Sequence, residues 1–334
     1  MILAIESSCD ETAVAIIQES PEGPRLLSSL VSSQIDIHRA YGGVVPEVAC
    51  RNHALTLPPL VTQSLEAAKV TLPEITAFAA TRGPGLASSL LVGFSYAKAL
   101  ATASGKPFFG INHMEGHLLS PFLGKKNIPP HLALIVSGGH TMLIDVQSYG
   151  NYRLIGRTRD DAVGEAFDKV GRMLGLPYPG GPEIEKTALH GDSAAYAFPR
   201  ALMHEPHHDF SFSGLKTSVR YTLEKLPDPQ NHFADLCASF QEAVSDALIR
   251  KTLRAAKETG HRLITFSGGV ACNQAIQKNF STACAQYGLD FLTTPAALTT
   301  DNAGMIAFAA HLAHLHREPD SLILPIQPNL PLAS

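Results

Sequence analysis

Several features that would assign this chain of 334 residues to a protein class are missing from it. No uninterrupted apolar run approaches the ~18 residues that a membrane-spanning helix needs, so no segment is predicted to cross a bilayer. The N-terminal segment has no basic region and no small-residue cleavage site, which predicts a buried strand and not a signal peptide. The five cysteines are scattered and form no Cys-x-x-Cys pair, which indicates reduced thiols in the cytoplasm.

Standard phosphate-binding motifs are absent as well. No Gly-x-x-x-x-Gly-Lys-Ser/Thr motif occurs, which excludes a P-loop protein, and no Gly-x-Gly-x-x-Gly motif follows the first predicted strand. Positive charge is also scarce, since the formal net charge is −4. Binding to a nucleic acid would therefore need a local basic face.

A pattern of strand, polar loop and strand occurs twice in the chain. Residues 2–5 and 13–17 are predicted strands around the loop 6–12, and residues 132–136 and 142–146 repeat the arrangement around the loop 137–141. A third strand is predicted after each pair, and units of strand and helix follow. The repeat and the alternation predict an α/β protein of two similar lobes.

Two histidines four residues apart, His113 and His117, lie on one face of a predicted helix that follows a short strand. This spacing suits two imidazole ligands of one metal ion, although it also occurs in helices that bind no metal. In the zinc-protease motif His-Glu-x-x-His the glutamate adjoins the first histidine, whereas Glu115 is turned about 200° away from both. The position of Glu115 therefore argues against a zinc metalloprotease, the main alternative function.

A third ligand must come from elsewhere, because two histidines do not complete a metal site. Asp301 precedes the last predicted helix, where it or a neighbouring residue could simply cap that helix. Alternatively, Asp301 completes a set of two histidines and one carboxylate with open positions, which suits iron(II) or zinc.

Three glycine-bearing loops are candidates for contact with a nucleotide, because glycine lets backbone N–H groups approach a phosphate. They contain residues 137–140, 179–182 and 267–270. Each alone is more often a tight turn, but three in one chain favour a nucleotide. Asp168 lies on the predicted helix 161–174, and its carboxylate is a candidate to accept hydrogen bonds from ribose hydroxyls. The alternative is that it belongs to an acidic helix start, where carboxylates favour the helix dipole.

Motifs spread over nearly the whole chain resemble, in order, those of the TsaD (Gcp) family, which transfers a threonylcarbamoyl group to tRNA. They lie at residues 6–12, 41–47, 83–85, 113–117, 136–141, 164–169, 178–182, 210–217 and 300–302. The resemblance implies the duplicated actin-like (ASKHA, ribonuclease H-like) architecture, with the active site in the cleft between two lobes. Residues 1–112 with about 295–334 would form the N-terminal lobe, and residues 113–294 the C-terminal lobe.

The resemblance also implies the substrates and the partners. Threonylcarbamoyl-AMP would donate its threonylcarbamoyl group to N6 of the adenosine beside the anticodon, in tRNAs that read codons beginning with A, with release of AMP. The partner proteins would be a paralogous actin-like protein of the TsaB type and a small ATPase of the TsaE type. No binding to a membrane is expected.

An ATP-binding chaperone or a kinase-like module is the second alternative, because a fold does not determine a function. Such ATPases bind the nucleotide through magnesium and phosphates and need no imidazole ligands. The set of His113, His117 and Asp301 therefore argues against this alternative.

Residue by residue, the resemblance implies one divalent metal held by His113, His117 and Asp301, with iron(II) preferred to zinc. Asp10 and Glu11, at the tip of the first hairpin, are candidates for proton removal or for positioning of the acceptor. The adenylate would contact Ile135, Val136, Ser137, Gly138, Gly139, Asp168, Gly181, Glu185 and Asn273. The residues just before Asn273 depart slightly from the family's pattern, with one small residue in place of another.

Overall fold

The computed structural model describes residues 1–333, which divide into two compact units. The first unit contains residues 1–128 and 300–332, and the second contains residues 129–299. The lobe boundaries predicted after residues 112 and 294 differ from this division. The helix that begins at His113 belongs to the first unit because it packs against the last helix of the chain.

Within residues 1–333, ten strands form two mixed sheets of five strands, one in each unit. The first sheet contains β1 (Ile2–Glu6), β2 (Glu11–Gln18), β3 (Arg25–Ser33), β4 (Ala77–Gly83) and β5 (Phe108–Asn112). The second contains β6 (His131–Val136), β7 (Thr141–Ser148), β8 (Asn151–Arg157), β9 (Leu263–Ser267) and β10 (Asp290–Thr293).

The two sheets have the same strand order. In the first, β3-β2-β1-β4-β5, the first three strands of the chain pair antiparallel and the last two are parallel to β1. In the second, β8-β7-β6-β9-β10, the directions are the same. The sequence repeat is therefore a structural duplication, and it confirms the predicted α/β class and actin-like architecture.

Ten α-helices connect and cover the strands of residues 1–333. The first unit contains α1 (Ile35–Arg39), α2 (Pro46–Ala68), α3 (Ala87–Ser104), α4 (His113–Leu119) and, after the second unit, α10 (Ala303–His316). The second contains α5 (Val163–Met173), α6 (Gly180–Ala188), α7 (Ser213–Lys225), α8 (Phe233–Thr259) and α9 (Gln274–Gln286). None of these helices is both long and apolar enough to cross a membrane.

Helices cover both faces of the first sheet, which explains why β1 is buried along its whole length. Leu3 and Ile5 pack with residues of α2 and α3, and α10 contacts β1, β2 and β5. Because side chains alternate along a strand, Ala4, between Leu3 and Ile5, faces the opposite side of the sheet. Residues 303–313 of α10 are all buried.

The α2 helix runs through two consecutive prolines, Pro58 and Pro59, at which the sequence predicts a bend or a break. Both prolines are exposed, whereas Leu57, Leu60 and Val61 of the same turns are buried against the sheet. Burial of this apolar face offsets the hydrogen bonds that the prolines cannot make.

A glycine allows α3 to approach β1 closely. A Cβ atom at Gly93 would lie 2.4 Å from Ser7 Oγ and 2.9 Å from Ile5 Cγ2. Ser7 Oγ is already held in place, since it accepts the Gly93 N–H at 3.2 Å and donates to the Ser89 carbonyl at 2.9 Å.

We expect Gly93→Ala to lower the free energy of unfolding by about 1–3 kcal/mol, because the added methyl group forces β1 and α3 apart. Urea denaturation followed by circular dichroism measures the change. Gly214→Ala is the matched control, because a Cβ atom at Gly214 would meet no atom within 4 Å. Equal stability of the two variants would contradict the close-packing argument.

Candidate functional site

The α4 helix places two imidazoles side by side. It begins at His113 because the Asn112 side chain caps it, accepting the Met114 N–H at 2.8 Å. His113 and His117 are both buried, and their rings lie 4.8 Å apart in an edge-on arrangement. The helical spacing inferred from the sequence therefore brings both side chains to one face.

Asp301 lies against these histidines because α4 approaches the start of α10. A Cβ atom at Gly116 would lie only 3.0 Å from side-chain atoms of Met305 and Ile306, so the close contact depends on glycine. The α10 helix is capped by Asn302, which accepts the Met305 N–H at 2.9 Å. Asn302 thus performs the capping that the sequence left open for Asp301.

The three side chains form a compact group of metal-ligand type. Asp301 Oδ1 lies 3.0 Å from His117 Nε2 and 3.4 Å from His113 Nε2. All three candidate ligand atoms lie within 4.8 Å of one another, and Glu115 does not belong to the group. Two imidazole nitrogens and one carboxylate oxygen are a donor set that fits iron(II) or zinc with open coordination positions.

Glu6, at the end of β1, holds His113 from its other side. Glu6 Oε2 lies 3.0 Å from His113 Nδ1, while the carboxylate also accepts the Ser8 N–H and the Thr81 hydroxyl. A carboxylate on Nδ1 fixes the ring and its tautomer, which leaves Nε2 for a ligand. The sequence pattern alone does not place Glu6 at the site. The sequence feature that could have indicated its role is an acidic residue at the end of an otherwise apolar strand.

The buried charges of this group depend on one another. Burial disfavours an imidazolium, but the carboxylates of Asp301 and Glu6 outweigh it and raise the pKa of His113 well above its usual value. Burial likewise opposes a charged carboxylate, but His113 and His117 hold the pKa of Asp301 well below its usual value. The group is thus arranged to keep negative charge in a buried place, where a proton or a metal cation must balance it.

The candidate proton acceptors lie in the same unit. Asp10 falls in the turn between β1 and β2, and Glu11 begins β2. Burial raises the pKa of Glu11 well above its usual value, and the carboxylates of Asp301 and Asp10 add to the shift. Cys9, beside them, is half-buried, and burial and Asp10 raise the pKa of its thiol. This makes Cys9 a poor nucleophile.

Most of the residues predicted to contact an adenylate lie in the second unit around the end of β6. Ile135 and Val136 end this strand, and the following loop is closed by Ser137, whose N–H donates to the His140 carbonyl at 2.8 Å. The loop glycines 138 and 139 border open space, since a Cβ atom at either would meet nothing within 4 Å. The absence of a side chain at both positions leaves space beside the loop, in which we predict that a phosphate lies close to the backbone.

Hydrogen bonds draw the remaining predicted residues together. Asp168 Oδ1 accepts the Gly180 N–H at 2.8 Å, which ties α5 to the start of α6. Glu185 Oε1 accepts the Gln274 N–H at 2.7 Å, which ties α6 to α9. Asn273 caps α9 through its side chain.

Two glycines complete this assembly. Gly181, at the start of α6, borders open space in the same way as the loop glycines. Gly164 lets the start of α5 approach the loop after β6, since a Cβ atom there would lie 2.7 Å from the Ser137 carbonyl oxygen. The structure thus brings the predicted adenylate residues into one assembly of loops and helix starts, and their role in binding stays a prediction.

The duplicated sheets define an actin-like protein, and solved structures share this fold. Full-length HypF in its phosphate- and nucleotide-bound form matches this chain with a TM-score of 0.61 at 12% sequence identity. The HypF of T. kodakarensis matches it with a TM-score of 0.62 at 13% sequence identity. These matches cover 94% and 97% of this chain. The chain spans only 46% and 49% of the HypF chains, and the likeness concerns the fold alone.

Sequence comparison is more specific. A family model described as "TsaD: tRNA N6-adenosine threonylcarbamoyltransferase" matches residues 25–308. The chain is 47% identical over 334 residues to the tRNA N6-adenosine threonylcarbamoyltransferase of Moorella thermoacetica, with 99% of this chain and 97% of the relative covered. It is 49% identical over 322 residues to the enzyme of that name from Anaeromyxobacter dehalogenans, with 95% of each chain covered. The chain therefore belongs to the TsaD family, as its motifs predicted.

We expect Glu6→Gln to weaken metal binding by roughly 10- to 100-fold, because the amide no longer fixes His113 as a carboxylate does. Titration of the metal-free protein with iron(II) or zinc in competition with a chelator measures the affinity. Glu115→Gln is the control, since it removes a carboxylate from the same helix but outside the ligand group. Equal affinities of the two variants would show that Glu6 has no such role.

Proposed function

We propose that this chain transfers the threonylcarbamoyl group from threonylcarbamoyl-AMP to N6 of the adenosine beside the anticodon of tRNA, with release of AMP. The observation that carries the proposal is the near-full-length identity to relatives named for this reaction. The group of two buried histidines and the partly buried Asp301 supports it, because a metal-dependent transferase needs such a site. The proposed location is the cytoplasm, where tRNA is available.

The first unit supplies the metal site in this proposal. His113, His117 and Asp301 would hold one divalent ion, iron(II) in preference to zinc. The bound ion would supply Lewis acidity towards an oxygen of the acyl phosphate. Glu6 would orient His113 throughout, because its carboxylate is bonded to Nδ1 and to two further donors.

The second unit would bind the adenylate. Backbone N–H groups of residues 137–139 would donate to the phosphate, since Gly138 and Gly139 leave the approach open. Asp168 and Glu185 each accept a backbone N–H, and their carboxylates would accept hydrogen bonds from the ribose hydroxyls. Such fixed groups align a weak nucleophile with the carbamoyl carbon, which is the main catalytic requirement for an already activated donor.

The transfer forms the bond between N6 of adenosine and the carbamoyl carbon and breaks the bond between that carbon and the phosphate oxygen. AMP leaves with the bonding electron pair, and N6 must lose one proton. Glu11 or Asp10 would accept this proton. The raised pKa of Glu11 suits it for the task, because a carboxylate of higher pKa is the stronger base once it is ionised.

A single assay tests the proposed function against its alternatives. The protein is incubated with threonylcarbamoyl-AMP and unmodified tRNA, with and without proteins of the TsaB and TsaE types, which we propose as partners. Mass spectrometry of the digested tRNA should detect threonylcarbamoyladenosine, with an equal amount of AMP released. Absence of the modified nucleoside under every condition would contradict the proposal, and cleavage of peptides would favour the metalloprotease.

We expect His113→Ala and His117→Ala each to lose bound metal and transfer activity together, because two remaining ligands do not hold the ion. Metal analysis and the transfer assay measure both losses. His190→Ala is the control, since His190 is exposed and lies outside the ligand group. Full activity in a metal-free variant would refute the catalytic role of the metal.

We expect Glu11→Gln to lower the transfer rate by roughly 10²- to 10⁴-fold while it retains the metal, if Glu11 is the proton acceptor. Asp10→Asn would show this loss instead if Asp10 has the role. Single-turnover rates measured across pH separate the proton transfer from binding. Rates close to that of the unchanged protein in both variants would exclude both carboxylates.

A further inference from the structure

A pocket with a strongly basic lining lies in the second unit, apart from the predicted adenylate residues. It has a volume of about 530 Å³ and is formed by α8 and the loop before α7. Its lining consists of Arg200, Met203, His204, Asp246, Arg250, Lys251 and Arg254. Four cationic side chains thus face a single carboxylate, in a protein whose net charge is −4.

Asp246 orients two of these arginines. Its Oδ2 accepts from Arg200 Nε at 3.1 Å, and its Oδ1 accepts from Arg250 Nε. Both arginines are thus held through Nε, while the only further bond described in residues 1–333 for either is from Arg200 Nη1 to the Phe198 carbonyl. The remaining terminal amino groups can donate to a ligand, and an arginine fork of this kind matches the oxygens of a phosphate.

The other two cations hold the loop that carries Arg200. Lys251 is buried, and its ammonium donates to the carbonyls of Leu202 at 2.6 Å and His207 at 3.3 Å. Arg254 donates to the carbonyls of Met203 and His207. Burial, with Arg254 close by, lowers the pKa of Lys251 to about 8. A buried ammonium used in this way makes the loop a fixed wall of the pocket.

The same loop contains a strained residue. Leu202 has a φ of +55°, a left-handed conformation that is uncommon for a bulky side chain. Its carbonyl is one of the two that Lys251 holds. Strain of this kind persists where the surroundings enforce it, and it is concentrated at ligand sites.

From these observations we infer that the pocket of Arg200 and Arg250 binds a phosphate group of the tRNA backbone. The inference rests on the proposed function, which makes tRNA the substrate. A polyanion needs a local excess of cations on a protein of negative net charge, and this lining supplies one. The described lining residues include no phenylalanine, tyrosine or tryptophan, and their charged groups suit a phosphate, so we assign the contact to the backbone.

The test measures binding of unmodified tRNA to the full-length chain as a function of salt concentration. Arg250→Gln and Arg200→Gln should each weaken binding roughly tenfold at about 0.1 M salt, and each should make the logarithmic salt slope shallower by about one. Lys278→Gln is the matched control, because it removes one exposed positive charge from the same unit, and its affinity should stay within about twofold of the unchanged protein's. The side chain of Arg250 is 66% exposed, so its replacement leaves the fold intact.

The Asp246→Asn variant tests whether the arginines must be oriented by Asp246, or whether positive charge alone accounts for tRNA binding. If orientation matters, the variant binds tRNA more weakly although its positive charge has increased. Tighter binding would overturn the inference, as would unchanged affinity and salt slope in both arginine variants.

Inorganic phosphate provides the remaining arm of the test. Arg250-dependent binding of phosphate, with tRNA affinity unchanged in Arg250→Gln, would assign the pocket to a free anion and overturn the tRNA contact. Failure of the inference is distinguishable from failure of the proposed function. An unchanged protein that cannot modify tRNA contradicts the proposed function, whereas one that modifies tRNA while the arginine variants bind normally contradicts only this inference.

Discussion

The close contacts of Asp301 with His113 and His117 are the interaction on which the first unit's candidate site depends. The contact between His117 and Asp301 joins residues 184 positions apart in the chain, at the place where α4 meets the start of α10. Gly116 permits the contact, Asn302 caps α10 in place of Asp301, and Glu6 fixes the ring of His113. These residues lie on different elements, but each helps to hold the two histidines and Asp301 in contact. A change in any one of them therefore affects the position of the others.

The duplicated fold uses one hairpin position in two ways. In the first unit the loop between β1 and β2 carries Asp10 and leads to Glu11, an arrangement rich in carboxylates. In the second unit the corresponding loop after β6 carries Gly138 and Gly139 and presents backbone N–H groups. The corresponding turn therefore carries carboxylates in one unit and glycines in the other, and these residues decide which charge each turn can stabilise.

Much of the fold was predictable because the decisive patterns are local. The repeated hairpins, the glycine loops and the spacing of the two histidines all follow from short segments of sequence. The uninterrupted course of α2 through Pro58 and Pro59 was not predictable, because burial of its apolar face decides it. The division into compact units after residue 128 also depends on tertiary packing, since contacts with α10 assign α4 to the first unit.

The site shows the same division. The roles of Asp301 and Glu6 depend on contacts between distant segments, and no local pattern distinguishes them from a helix cap or a strand end. The pocket of Arg200 and Arg250 is likewise not predictable from local sequence, because it depends on a long-range contact. Asp246 brings together a loop and a helix that are separate in sequence. Residue types indicate which chemistry is available, and tertiary packing decides which of these residues come together in one site.

The division of the chain has a consequence for the order of events during synthesis. The second unit is continuous, whereas the first is interrupted by about 170 residues between residues 128 and 300. A ribosome that adds ~5–20 residues per second needs roughly 10–30 s to make this insertion. During that interval β1 lacks the cover of α10, and the two histidines lack Asp301. The proposed metal-binding group is therefore among the last parts of the protein to be assembled, after the second unit has had time to fold.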